Sequence, residues 1–235
     1  MPYYLIAFFS VLTLTSVHFF ASKMEFVDKI LHGRFLSVGG GIAIAYVFVD
    51  LLPNLSESDK VVRNWLSGFF PYFERHVYVL ALCGFLFFFI IDRSKNLVWK
   101  ETSFWLSLGS YALFNFFIGY AIAYKDDPSI QPLGLFTFAM ALHYFTNDYT
   151  LIREDALKYE DYGKWILIGF IVFGWALGNW VIISDAAIAL VNAFIAGGVI
   201  MNVTRHELPT DNPNSTETFL FGSVFYTIVL LSIGV

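Results

Sequence analysis

The chain's 235 residues carry a formal net charge of −5; 57% are hydrophobic, 20% aromatic and only 14% charged. Soluble domains average roughly 25% charged residues, so a water-soluble globule is excluded. Nucleic acid is excluded as a partner as well, because a polyphosphate is held by clustered Lys and Arg, and the sequence has no such cluster. The first twenty residues, MPYYLIAFFSVLTLTSVHFF, lack the basic segment and small-residue cleavage site of a secretory signal and read as a retained span.

Runs of about 17–25 mostly apolar residues can cross a hydrocarbon core. Eight are predicted, near residues 3–21, 35–53, 76–92, 103–124, 132–152, 164–183, 186–204 and 218–235. The intervening stretch 54–75, with its WLSGFFPYF, reads as an interfacial helix. Phenylalanine-rich runs without strict polar alternation favour helices over barrel strands, so the expected fold is all-α, one transmembrane domain over residues 1–235. Ten Lys and Arg follow the odd-numbered spans and four follow the even-numbered ones. The positive-inside rule then puts both termini on the outer side. The lone cysteine, Cys83, lies in an apolar run and says nothing of redox compartment.

Two internal matches follow. GIAIAYVFVDLLPN (41–54) in span two aligns with GGVIMNVTRHELPT (197–210) at span seven, sharing Gly41 with Gly197, Leu52 with Leu208 and Pro53 with Pro209. LFNFFIGY (113–120) in span four aligns with LHYFTNDY (142–149) in span five. In each match the two spans run in opposite directions on the predicted topology, the pattern of an inverted repeat with a site between the paired spans at mid-membrane.

With eight spans, outward termini, DLLPN closing span two, LFNFFIG in span four, His143 in span five, and AGG (196–198) and HELP (206–209) at span seven, the chain resembles the ZIP (Zrt/Irt-like) divalent-metal transporters over nearly its whole length. The resemblance implies transport of a cation of the zinc, iron or manganese class, and a homodimer as the family's usual assembly. It also marks departures. Asn115 and Gly119 match the family's fourth-span pattern, whereas Phe114 and Ile118 stand where it has a histidine and a glutamate. His143 matches in span five, with Asn147 at a glutamate position; Asp50 and Asn54 replace a histidine and a glutamate in span two.

Chemistry narrows the candidate site to Asn115, His143, Asn147 and Asp148. His143 and Asn147 are four apart and share a helical face that Asn115 could oppose. One imidazole and two carboxamides bring no charge to offset dehydration of a divalent ion, so the expectation is a weakly held cation and no other cofactor. Asp148 sits about 100° around the helix from Asn147, and an acid within a span marks a pathway or a paired charge. Asp50, His206 and Glu207, near the ends of the two proline-terminated spans, are candidate pathway residues or helix ends meeting water. Asn115 and Asn147 have an alternative use as interhelical hydrogen-bonding groups.

No phosphate loop, nucleophile elbow, Cys-x-x-Cys or His-Glu-x-x-His occurs, so an enzyme is not expected. Two functions remain in play: a ZIP-like transporter with a reduced-charge site between spans four and five, and a non-transporting relative acting as accessory, scaffold or sensor subunit of a membrane complex.

Overall fold

The computed structural model describes residues 3–30, 34–66, 76–97, 99–123, 130–181, 184–208 and 213–233. All regular structure among these residues is helical. In chain order the helices are α1 (Tyr3–Ile30), α2 (Arg34–Tyr46), α3 (Leu52–Leu66), α4 (His76–Ser94), α5 (Lys100–Ala123), α6 (Ile130–Lys158), α7 (Lys164–Trp180), α8 (Asp185–Asn202) and α9 (Pro213–Ile233). Helices satisfy their backbone hydrogen bonds internally, as lipid demands.

Five helical stretches among the described residues are long and apolar enough to cross a membrane: Tyr3–Lys23, Arg34–Asp59, Val77–Ser94, Glu101–Ala123 and Ala186–Arg205. The predicted count of eight is not reached on those criteria, for reasons visible in the remaining helices. The apolar stretch Thr216–Ser232 is shorter, and α7 has only 17 residues. The polar residues His143, Asn147 and Asp148 dilute the apolar run of α6. The chain is a membrane protein, all-helical among the described residues, and its exposed side chains, among them Phe19, Phe89, Phe173, Phe221 and Phe225, suit contact with lipid.

The breaks in the helices have local causes. Proline has no N–H to donate and its ring crowds the carbonyl four residues back. Just before Pro53 the helix widens into a π turn, Val47–Leu51, where Leu52 N–H reaches the Val47 carbonyl. A second π turn, Val203–Glu207, stands in the same relation to Pro209 in the sequence. Within α6, Asp155 leaves helical geometry (φ −159°, ψ 96°) and its carboxylate accepts from Lys158 N–H at 3.1 Å, an aspartate cap for the last turn. Ser184 caps α8, accepting from Ala187 N–H at 3.3 Å.

Helix packing relies on small residues that let backbones touch. A methyl group on Gly197 of α8 would sit 1.8 Å from the Ala81 carbonyl oxygen of α4, and one on Gly41 of α2 would sit 2.1 Å from the Phe219 carbonyl oxygen of α9. Each contact has a counterpart from the other helix, Gly84 on Phe194 and Gly222 on Val38. The α5 and α7 pair meets the same way through Gly119 and Gly174.

Polar contacts set the helix directions. Arg205 after α8 pairs with Asp92 on α4, Lys95 after α4 pairs with Glu154 on α6, and Lys158 at the end of α6 pairs with Glu101 at the start of α5. The ends of α4, α6 and α8 therefore share one face of the bundle with the start of α5. At the opposite end, the Tyr3 hydroxyl donates to the Ile122 carbonyl at 2.6 Å, joining the start of α1 to the end of α5. Tyr226, in the second half of α9, donates to the Leu135 carbonyl near the start of α6. The α2 and α9 pair thus runs opposite to the α4 and α8 pair.

Candidate functional site in the bundle interior

Helix α6 carries two polar strips, one residue and about 100° apart. His143 and Asn147 form one, and Tyr144 and Asp148 form the other. All four are buried. Because the strips face different neighbours, the four candidate residues divide into two constellations and do not meet at a point.

Tyr144 and Asp148 face α1. His18 Nδ1 lies 3.0 and 2.8 Å from the two oxygens of Asp148, with 1% and 0% of the side chains exposed. Asn115 Nδ2 of α5 stands 2.8 Å from His18 Nε2 and 3.5 Å from the Leu167 carbonyl of α7. With Asn115 donating to Nε2, the imidazole keeps its hydrogen on Nδ1 and gives it to the Asp148 carboxylate. The Tyr144 ring stacks on His18 at 4.8 Å between centroids, and the Tyr159 hydroxyl donates to the His18 carbonyl at 2.9 Å. Side chains of α5 and α6 thus converge on the imidazole of α1, and the turn before α7 holds its backbone. Asn115 Oδ1 and the Tyr144 hydroxyl are buried beside it without hydrogen-bond partners.

His143 and Asn147 instead line a narrow, partly open cleft. Its walls come from α4 (Phe88, Ile91, Asp92), α5 (Ser110, Tyr111, Phe114), α6 (His143, Asn147) and α8 (Gly198, Met201, Asn202), with Lys95 at the rim. Asp92 in its wall is paired with Arg205, after α8. Asn202 Nδ2 donates to Asn147 Oδ1 at 2.6 Å, tying α8 to α6. By the inventory of an amide, that bond leaves Asn202 Oδ1 and the Asn147 amide hydrogens for whatever enters. Phe114 packs its ring 5.4 Å from that of His143.

Asn115 and Asp148 are therefore brought together on His18, while His143 and Asn147 join Asn202. Among the described residues no three His, Cys, Asp or Glu side chains converge closely enough to hold a metal ion. Phe114 and Ile118 are core residues, at 3% and 1% exposure. Asp50 lies in the π turn after α2, partly buried, and interacts with the Tyr46 hydroxyl. His206 and Glu207 belong to the second π turn by backbone, and their side chains lie outside the described residues.

His18 and Asn202 are the two central residues that the sequence reading passes over. Each is a polar residue in a predicted span, the same signal that singled out Asn115. His18 sits in a span read only for topology, and Asn202 registers only as part of a glycosylation triplet.

Comparison with protein-family models, with curated proteins and with solved structures finds no match to this chain.

Proposed function

We propose that the chain is a membrane transport protein of ZIP-like type, moving a divalent metal cation of the zinc, iron or manganese class through a reduced-charge site between α5 and α6. The observation that carries this reading is the cleft. Its lining joins the charged Asp92 and Lys95 to the buried His143, Asn147 and Asn202, the combination that a carrier's site between helices would need. Imidazole nitrogen and amide oxygen are acceptable donors to such ions, and these three residues bring no carboxylate.

Equal spacings support an internal duplication. The Gly41 contact with Phe219 and the Gly197 contact with Ala81 are related by a shift of 156 residues on one helix and 138 on the other. The same shifts relate Val38 with Gly222 to Phe194 with Gly84. The two π turns, Val47–Leu51 and Val203–Glu207, also stand 156 residues apart. Because the two helix pairs run oppositely, the duplication is inverted, and rocking of one half against the other alternates access. In this reading the bundle has eight spans, both termini outward, and the cleft opens inward.

Titration calorimetry tests the site. Zinc, iron(II) or manganese(II) is expected to bind no tighter than micromolar, and His143→Ala abolishes the heat. Nanomolar binding that survives His143→Ala contradicts the placement.

The separation of the two polar strips favours a second reading. Asp148, the interior acid of α6, is committed to His18, so the chain keeps a transporter's frame without a full ligand set. That suits an accessory or sensor subunit of a membrane complex.

A further inference from the structure

An inverted duplication pairs each residue of the cleft with a counterpart on the far side of mid-membrane. The shifts are 138 residues between α4 and α9, 156 between α2 and α8, and 29 between α5 and α6, the last from the match of 113–120 with 142–149. Packing agrees with the third. Gly119 and Gly174, where α5 meets α7, correspond to Asp148 and His18, where α6 meets α1.

Under these shifts the polar lining of the cleft falls on an apolar set. Asp92 corresponds to Leu230, Ser110 to Ala139, Tyr111 to Met140 and Asn147 to Ile118. All four counterparts are at most 1% exposed and belong to one core cluster. Asn202 falls on Tyr46, whose hydroxyl is engaged by Asp50.

His143 and Phe114 are each other's counterparts and stand between the two sets. Asn147 lies one turn beyond His143, toward the end of α6 where Lys158 pairs with Glu101. Ala139 and Met140 lie one turn before it. On α5, Ser110 and Tyr111 precede Phe114, and Ile118 follows it toward Ile122, whose carbonyl Tyr3 of α1 reaches. The polar set therefore occupies one side of the bundle's middle and the apolar set the other.

We infer that Ile118, Ala139, Met140 and Leu230 form a closed apolar gate between the cleft and the opposite membrane face. The inference rests on the duplication within the transport reading, in which the two halves exchange roles and the gate parts as the cleft closes. The narrow cleft has room for water. A constriction lined only by apolar groups excludes water, and without water it passes no ion. Access to His143 is thus from the cleft side alone.

The test hydrates the gate. In vesicles holding the purified chain and free of transition metals, proton flux under a potassium diffusion potential is followed with a trapped pH dye. Ile118→Asn gives the gate the side chain that its counterpart Asn147 gives the cleft, and Met140→Gln changes polarity at similar volume. Each is expected to raise proton flux on the order of tenfold by completing a file of water from face to face. Leu167→Asn, a polar substitution at 0% exposure in a different core cluster, leaves the flux at its starting value. Adding Ser110→Phe, which fills the cleft, abolishes the flux of the gate variants. Helicity and a single species in micelles establish which variants fold, and Met140→Gln decides the matter if Ile118→Asn does not. Unchanged flux in the folded gate variants, equal flux in Leu167→Asn, or flux indifferent to Ser110→Phe overturns the inference. No metal cation enters the measurement, so the gate stands or falls separately from metal uptake.

Discussion

Replacing Asp148 with alanine lowers the stability of the folded bundle by about 1–3 kcal/mol, the cost of leaving a buried hydrogen-bond donor without its partner. His18 would be left with an Nδ1–H buried at 1% exposure and facing an apolar methyl group. His18→Ala falls in the same range, because it strands the carboxylate and the Asn115 amide together. The double replacement His18→Leu with Asp148→Leu costs less than the sum of the singles, since neither member of the pair is left facing an apolar partner and only the Asn115 amide loses a bond. Unfolding in mixed micelles, followed by helicity, measures all three. Additive losses, or an Asp148→Ala effect under about 0.5 kcal/mol, would show that the pair is not the fixed point described here.

Gly197→Ala is expected to separate α4 from α8 and cost about 1–3 kcal/mol or more, the range for overpacking a tight interior. The added methyl would meet a backbone oxygen at 1.8 Å, and backbone cannot rotate aside as a side chain can. Gly41→Ala, whose methyl would meet the Phe219 oxygen at 2.1 Å, has a matching effect on α2 and α9. Gly109, Gly134 and Gly169 supply the controls, because a methyl on any of them meets nothing within 4 Å. Alanine there changes stability by no more than about 0.5 kcal/mol, or raises it slightly through helix propensity. If Gly197→Ala behaves like these controls, the close packing assigned to α4 and α8 is wrong.

Much of the frame was legible because it rests on local signals. Apolar run length gave the helix positions. The Leu-Pro sequences at Leu52 and Pro53, and at Leu208 and Pro209, announced two backbone disturbances at one offset. The candidate site was legible only by halves. Asn115, His143, Asn147 and Asp148 stood out as polar residues in apolar runs, and all four are buried. The 100° step between Asn147 and Asp148 already argued against a shared ion, and the two side chains do face different helices. What each would meet was not legible. His18 lies 130 residues from Asp148 and Asn202 lies 55 from Asn147, and no local pattern encodes pairings over such distances. The packing of α1 and α8 against α6 decides them.

The ZIP resemblance implies a site between α5 and α6; His143 and Asn147 of α6 line the cleft, together with residues of α4, α5 and α8. It could not anticipate that Asn115 would turn toward α1. With Phe114 beside His143, the stretch of α5 around Asn115 contributes bulk to the cleft and a hydrogen bond to the His18 pair. A single substitution, Phe114→His, places a second imidazole at the cleft wall beside His143.

Uptake of radioactive zinc, iron and manganese into vesicles holding the purified chain tests transport most directly. The transport reading predicts accumulation of at least one of the three above empty vesicles, abolished in His143→Ala while the protein stays folded. No accumulation of any of them above empty vesicles would contradict it and leave the accessory-subunit reading in its place.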